Sequence, residues 1–299
     1  MTFNFHRRGL LAVLIAGAAC AAAQAADRPP MRVIVPASAG SGIDTHIRAV
    51  VPSLKNALGG QAVVVENLPG AGGITGTAAL VRAAPDGNTI ALVSNNHAVN
   101  PSVYQKMPFD SLKDITPIAV VGSTPFLLVV NPQKVPAKTA KELQAMLKAK
   151  PGVDVKHIPY KGMAPMVSDI ISGQVEMGAV SVPVALAHVK SGALRAIGVM
   201  GKQRVPSLPD LPTLAEQGFP EVDIAGWFAF IGPAKLPAAE VKRLHAAVLA
   251  AFETPDSKEA MAQQQNIMHP MTPEASAQFF RSEQERYAAL VKKANVRID

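Results

Sequence analysis

The sequence predicts an α/β protein of two lobes, with mainly parallel sheets and helices on both sheet faces. Strand, loop and helix patterns alternate from residue 31 to about residue 201, as expected for parallel strands joined by crossover helices. The strand segments are continuous apolar runs, which indicates burial on both faces. Two extended apolar segments, 125–132 and 226–233, bracket the middle third of the chain.

The first third of the sequence predicts three strands and two helices. The helical segments place apolar residues at helical spacing, and the strands are bounded by Gly, Pro and Asn turns. Pro52 falls inside the first helical pattern, where a proline can bend a helix. The expected strands cover 31–35, 61–67 and 89–95, and the expected helices cover 43–58 and 70–84.

The alternation continues through the middle of the chain and ends in two amphipathic helices. Between them, the proline-rich connection 206–220 leads into the apolar segment 224–233. The expected strands are 117–122, 126–132, 153–160, 175–182 and 194–201. The expected helices are 139–149, 162–173, 183–192, 237–252 and 273–294.

The two long apolar segments predict a chain that crosses twice between lobes. No Gly/Ser-rich linker marks a boundary, so these segments themselves are expected to form the connections. We expect lobe 1 to comprise 26–124 plus 228–299, and lobe 2 to comprise 125–227. A double crossing of this kind predicts a hinge that closes around a ligand.

Residues 1–25 have the features of a secretory signal peptide. A basic stretch that includes Arg7 and Arg8 precedes an apolar run too short to span a bilayer, and small residues end at Ala25. We expect cleavage after Ala25 and a periplasmic protein. Two alternatives remain: lipid attachment at Cys20, although Gly17 occupies the usual leucine position, and twin-arginine export.

Composition excludes several classes of function. Cys20 is the single cysteine, so cleavage would leave no disulfide, thiolate metal site or cysteine nucleophile. The net charge of +7 at pH 7 favours anionic ligands. Basic residues are dispersed and aromatic residues make up only 5% of the chain, which argues against nucleic acid as a partner.

The loop between the first strand and the first helix is the clearest candidate for anion binding. The first N–H groups of a helix lack internal partners and carry partial positive charge, and small residues let an anion approach them closely. An ordinary loop with Ser41 or Asp44 as a helix cap explains the pattern equally well. The candidate residues are Ala37, Ser38, Ala39, Gly40, Ser41, Gly42 and Asp44.

A second glycine-rich turn does not match a dinucleotide-binding motif. Gly70, Gly72 and Gly76 give the spacing G-x-G-x-x-x-G, and Asp86 lies in a turn rather than at the end of a strand. We therefore expect a tight turn with close helix packing, and no cofactor.

Asn95, Asn96 and His97 follow the third strand and are further candidates for ligand contact. Ligands of parallel α/β sheets usually bind at the carboxyl ends of the strands. The seven histidines are scattered without metal-ligand spacing, so we expect no metal. His157 and His188 are expected to be structural.

Eight segments in order along the chain resemble the substrate-binding receptors of tripartite tricarboxylate transporters, often called Bug or TctC proteins. They are RVIVPASAGSGID, VVVENLPGAGGITG, RAAPDGNTI, SLKDITPIAVVG, PFLLVVNP, HIPYKG, SLPDLPTLAEQG and GWFAFIGPAKLPAAEV. The resemblance implies a type II periplasmic-binding fold, with two α/β lobes around a ligand cleft. It also implies a monomer that passes a small organic carboxylate to a membrane permease.

The resemblance also assigns ligand contacts. Backbone donors and ordered water from Ala37 to Gly42, with Asp44 nearby, would hold the carboxylate. From lobe 2 it implies Lys161 and Gly162 of the PYKG motif, and the turn Ser181, Val182 and Pro183. A lysine at a strand end is, alternatively, often a solvated tip.

One departure from the family pattern falls in lobe 2. Members usually carry a further strand, a Gly/Ser-rich loop and a helix between the helix that ends near Lys150 and the VDVKHIPYKG segment. The missing loop would supply part of the ligand site. We expect 153–159 to remain a strand, joined to the preceding helix as a right-handed β-α-β unit.

Two other classes of function remain open at this level. An exported α/β hydrolytic enzyme would use Ser38, Ser41, His46 or His97, but no G-x-S-x-G motif or suitably spaced nucleophile and base is present. A ligand-sensing partner of a membrane signalling protein would use the same cleft. The sequence does not identify the ligand.

Overall fold

The computed structural model describes residues 28–149, 152, 155, 156, 158, 160 and 163–294. The predicted signal peptide, including Cys20, lies outside the described residues, as do Lys161, Gly162 and His157. Among the helices that are described, none combines the length and apolar character needed to cross a bilayer.

Strands and helices alternate along the chain largely as the sequence predicts. The strands are β1 (Met31–Val35), β2 (Val63–Asn67), β3 (Thr89–Ser94), β4 (Ile115–Val130), β5 (Met177–Ser181), β6 (Arg195–Val199), β7 (Ala225–Pro233) and β8 (Ile267–Met268). The helices are α1 (Gly42–Ala57), α2 (Ile74–Val81), α3 (Asn96–Val103), α4 (Ala140–Lys148), α5 (Met163–Ser172), α6 (Val182–Lys190), α7 (Ala238–Glu253), α8 (Pro255–Gln263) and α9 (Pro273–Ala294).

The chain forms two compact units. The first contains the residues up to Val121, Phe228–Ala260 and the chain from His269 onward, and the second contains Gly122–Trp227 and Met261–Met268. Strands β4 and β7 each contribute residues to both units. The functional division into two lobes around a hinge stays a prediction.

The sheet of the first unit combines parallel and antiparallel pairs. β1 lies between β2 and β3 and is parallel to both, whereas β7 runs antiparallel to β3, with Val93 opposite Ala229. Four of the five residues of β1 are buried, as its continuous apolar run predicts. β1 therefore ends at a point fixed by neighbours on both edges, and the loop after it starts from a rigid position.

In the second unit, β4 is the central strand. It pairs antiparallel with β5, where Leu128 lies opposite Ala179, and antiparallel with β6, where Leu127 lies opposite Val199. The α/β fold is as expected, but the sheets are not mainly parallel, because the first unit combines parallel and antiparallel pairs and β4 is antiparallel to both of its neighbours in the second unit. The antiparallel pairs involve β4 and β7, the two strands that contribute residues to both units. β7 is antiparallel to β3, and β4 is antiparallel to β5 and β6.

The predicted strand at 153–160 is not present in the residues that the structure describes there. Val155, Lys156, Ile158 and Tyr160 have no strand pairing, and 58% of Val155 and 51% of Ile158 are exposed. Since these apolar side chains gain little burial, the main stabilisation of a strand on a sheet is missing. The expected β-α-β unit is therefore wrong for these residues.

Two smaller differences concern the bounds of β4 and the glycine-rich turn. The predicted strands 117–122 and 126–132 are parts of one 16-residue strand, β4. The predicted helix 70–84 is divided, because Gly70, Gly72 and Gly73 have positive φ angles of 137°, 62° and 96°, which L side chains rarely adopt. A short 3₁₀ turn therefore precedes α2.

Candidate functional site

The loop after β1 leads directly into the amino terminus of α1. Ser41 is the residue before the helix, and its carbonyl accepts the first intrahelical bond from the N–H of Thr45 (2.9 Å). The N–H groups of Gly42, Ile43 and Asp44 precede this bond and have no carbonyl one turn earlier within the helix. Gly42 is exposed. The sequence prediction that small residues surround a helix amino terminus holds in the structure.

The side chain of Asp44 points toward the loop after β1 and not toward solvent. Its carboxylate accepts hydrogen bonds from the N–H of Gly40 (2.8 Å), from Nε of Arg48 (2.9 and 3.0 Å) and from Nδ2 of Asn67 (2.9 Å). The residue is only 2% exposed. Burial raises the pKa of Asp44, but the three donors outweigh burial, so that the pKa lies below its ordinary value and the carboxylate is charged at neutral pH.

Asn67 and Arg48 complete this network from two other elements. Asn67, the last residue of β2, also donates to the carbonyl of Ala37 (3.2 Å), and its Oδ1 accepts from Arg48 (2.8 Å). Sequence analysis missed both residues. A polar residue that ends an apolar strand, and an arginine one turn after an aspartate on a helix, were the available signals.

A small polar cavity of about 50 Å³ lies in the first unit beside this loop. A volume of this size holds a few water-sized groups. Its walls come from the β1 loop, the start of α1, the glycine-rich turn, α2, the end of β3 and α3. The lining residues are Pro36, Ala37, Ile43, Gly72, Gly73, Thr77, Val93, Ser94, Asn96, His97 and Asn100.

The three candidates after β3 separate in the structure. Asn96 and His97 line the cavity, whereas the Asn95 side chain lies beside Tyr287 of α9. Nε2 of His97 donates to the carbonyl of Ser111 (2.8 Å), and burial lowers the pKa of His97 to about 4. His97 is therefore neutral at physiological pH.

The glycine-rich turn also contributes to this cavity, which the sequence did not indicate. The predicted close packing is confirmed, since a Cβ on Gly76 would lie 2.8 Å from both the carbonyl oxygen of Leu68 and Cα of Pro36. Nδ2 of Asn100 donates to the carbonyl of Gly72 (3.1 Å) and so holds the turn against α3. Thr77, a polar residue in the largely apolar α2, and Asn100, one helical turn after Asn96 in α3, were the signals that could have identified these walls.

The second-unit candidates lie where β5 ends and α6 begins. Ser181 is 7% exposed and its hydroxyl contacts Sδ of Met163 (3.2 Å), and Pro183 is exposed. Val182 is fully buried in the core of the second unit. Because the Val182 side chain belongs to the same buried cluster as Leu127 and Val180, a ligand contact at this position would fall to its backbone atoms, and it stays a prediction.

Catalytic and metal chemistry find little support in this arrangement. The imidazole of His46 packs on Phe228, with ring centroids 4.5 Å apart, and His97 is bonded to Ser111. In the part of the chain that the structure describes, no three His, Cys, Asp or Glu side chains are grouped to hold a metal ion.

Comparison with known proteins connects this arrangement to a receptor family. The model of the tripartite tricarboxylate transporter family receptor matches residues 47–152 and 144–296. The two pieces overlap at residues 144–152, next to the position where the family resemblance implies a further strand, loop and helix. The protein BugT of Bordetella pertussis is 32% identical over 319 residues, which covers 97% of this chain and 97% of BugT.

Solved structures give the same relationship. The periplasmic binding protein BugD is 29% identical, with a TM-score of 0.76 over 90% of this chain and 99% of BugD. Two structures that are 24% identical share the fold: MatC from Rhodopseudomonas palustris with bound malate (TM-score 0.74, 89% and 99% coverage) and Rpa4515 of R. palustris with adipate (TM-score 0.78, 91% and 99%). With its periplasmic-binding-protein fold, this chain belongs to the tripartite tricarboxylate transporter receptor family, and it is a binding protein and not an enzyme.

Proposed function

We propose that this receptor binds the carboxylate of a small organic acid at the amino terminus of α1, with the polar cavity beside it. The observation that carries the proposal is the exposed start of the helix at Gly42, next to a loop whose conformation is fixed by Asp44. The malate and adipate bound by the two related structures support a carboxylate as the ligand class.

The physical basis is the set of N–H groups at Gly42, Ile43 and Asp44. They point along the helix dipole, and a hydrogen bond to a charged oxygen contributes about 1.5–3 kcal/mol. Two or three such bonds account for micromolar affinity, which corresponds to about 8 kcal/mol, when the cavity and the remainder of the ligand add contacts. The net positive charge of the chain favours the same ligands.

The cavity supports recognition of the head group of the ligand. Its volume of about 50 Å³ leaves room for a few water-sized groups, such as the oxygens of a carboxylate with bridging water. Ser94, Asn96 and Thr77 provide hydroxyl and amide groups there. The rest of the ligand would contact residues outside the cavity, and those residues set the specificity.

The wider role that we propose for the receptor is in the transport of its ligand. We propose that the protein is exported, that cleavage follows Ala25, and that the mature receptor works as a monomer in the periplasm and delivers its ligand to a membrane permease. The family match and the periplasmic relatives support this assignment. Contacts from Lys161, Gly162, Ser181 and Pro183 stay predictions.

Gly42→Pro tests the helix terminus directly. Proline is favoured at the first helical position and removes only the N–H, Ser41 already has the extended conformation (φ −69°, ψ 163°) that a residue before proline needs, and a Cβ at Gly42 meets nothing within 4 Å. We expect Gly42→Pro to fold normally and to weaken carboxylate binding by about 10- to 100-fold.

The measurement is a thermal-shift screen of malate, adipate, glutarate, citrate and benzoate, followed by calorimetric titration of the variants. Ligand at about 100 times its dissociation constant adds roughly 2.7 kcal/mol to the unfolding free energy. Gly42→Ala is the control, because it adds a side chain but keeps the N–H. Equal affinities of the Pro and Ala variants would place the site elsewhere.

A further inference from the structure

Asp44, Arg48 and Asn67 form a closed hydrogen-bond network, which we call the loop clamp. We propose that the loop clamp is a positioning device: it sets the backbone of the 37–42 loop so that the first N–H groups of α1 face the ligand. The inference rests on the proposed carboxylate site and assigns Asp44 an indirect role in place of direct ligand contact.

The hydrogen bonds occupy both oxygens of Asp44. Oδ1 accepts from Arg48 (2.9 Å) and Asn67 (2.9 Å), and Oδ2 accepts from Gly40 (2.8 Å) and Arg48 (3.0 Å). The residue is 2% exposed and does not belong to the cavity wall. A ligand could reach this carboxylate only by displacing its present donors.

The loop clamp holds the loop at two points. Through Asn67 it binds the carbonyl of Ala37 (3.2 Å), and through Asp44 it binds the N–H of Gly40 (2.8 Å). Ser38, Ala39 and Gly40 are themselves exposed, so packing alone does little to fix them. Because Asn67 ends β2 and Asp44 lies in the first turn of α1, these bonds hold the loop to both elements. The conformational entropy of ordering the loop is therefore lost on folding and not on ligand binding.

The charge of Asp44 makes the positioning role distinguishable from a local charge effect. A buried carboxylate in the same helical turn as an anion site repels the ligand, although Arg48 offsets part of this repulsion. Removal of the negative charge should therefore tighten carboxylate binding if electrostatics dominate. Disruption of the loop clamp should instead weaken binding, since the N–H groups would no longer converge.

Asp44→Asn separates the two effects. It keeps the shape of the side chain but replaces one acceptor oxygen by an NH₂ group, so that Gly40, Arg48 and Asn67 cannot all be satisfied. We expect a loss of affinity of at least 10-fold for the best-binding acid among malate, adipate, glutarate and citrate. Hydrogen exchange at the Gly40 amide, followed by NMR, should accelerate in the same variant.

A second variant and a control complete the test. Asn67→Leu keeps the carboxylate of Asp44 and its bonds to Gly40 and Arg48, but it removes the bonds of Asn67 to Ala37, Asp44 and Arg48. It should also weaken binding. Glu240→Gln breaks a comparable ion-pair network with Arg28 and Arg243 outside the proposed site, so its affinity should match that of the wild type.

Unchanged or tighter binding in Asp44→Asn would overturn the role of the loop clamp and leave the carboxylate site standing. A wild-type protein that binds none of the four acids would instead count against the proposed function. Weakened binding in both loop-clamp variants, with normal binding in Glu240→Gln, supports the inference.

Discussion

Two histidines, His46 and His97, are buried in the first unit. Burial lowers the pKa of each to about 4. The His97 ring lies near Phe109 and Phe280, at centroid distances of 6.3 and 5.6 Å, so protonation would place a charge in an apolar environment. Both histidines are therefore neutral in the folded protein at physiological pH.

The resulting prediction is a loss of stability in mild acid. The unfolded chain binds protons at His46 and His97 near pH 6.5, whereas the folded protein does not until about pH 4, so the stabilisation is complete above pH 6.5 and is lost as the pH falls toward 4. The two histidines together should cost several kcal/mol over this range.

Urea unfolding at pH 7.5, 5.5 and 4.5 measures this effect. The ion-paired carboxylates of Asp44 and Glu240 also have lowered pKa values. Their contribution to the unfolding free energy is lost only below the ordinary carboxyl pKa near 4. His97→Phe should flatten the dependence between pH 6.5 and 4.5. A flat profile in the wild type would show that the histidines titrate normally.

Among the elements, α2 packs closely against Pro36, the residue that begins the β1 loop. Gly76 lies in the first turn of α2, where any Cβ would meet the backbone of Leu68 and Pro36 at 2.8 Å. Both contacts are backbone atoms, which cannot rotate away as a side chain would. The packing of α2 therefore determines where the loop after β1 begins.

Gly76→Ala should destabilise the first unit by about 1–3 kcal/mol, the usual cost of overpacking. Because Pro36 must shift, carboxylate affinity should fall as well. Chemical unfolding and calorimetric titration measure the two effects. Gly42→Ala, which has open space around the new Cβ, should retain both properties, and a stable Gly76→Ala protein would contradict the role of close packing.

At the scale of the whole molecule, the second unit carries two apolar side chains that its core does not bury. Val155 and Ile158 are more than half exposed, and β5 is the last strand in the described order of the sheet. The core of this unit is formed by β4, β5, β6 and the helices α5 and α6, with Leu127, Val129 and Ile170 fully buried.

The double substitution Val155→Ser and Ile158→Ser tests this description. Exposed apolar side chains contribute little to folding, so the melting temperature should change by no more than corresponds to about 0.5 kcal/mol. Val129→Ser, in the buried strand, serves as the comparison and should cost several kcal/mol. A loss above 1 kcal/mol in the double variant would indicate that Val155 and Ile158 are buried in solution.

Much of the fold could be predicted from the sequence because burial leaves a local pattern. The continuous apolar run at β1 and the amphipathic repeat of α9 appear within one segment each, and their observed bounds agree closely with those predicted. The strand expected at 153–160 is absent at the four residues described there. Its β-branched residues favour an extended conformation, but a strand also needs a neighbouring strand to pair with.

The sequence by itself determined the family, the order of the elements and the position of the candidate anion loop, because these depend on patterns within short stretches of chain. Only the tertiary structure decided the hydrogen-bond partners of Asp44, the burial of Val182 and the walls of the cavity. The choice of hydrogen-bond partner and the exclusion of water depend on groups such as Asn67 and Asn100, which folding brings to the loop from distant positions.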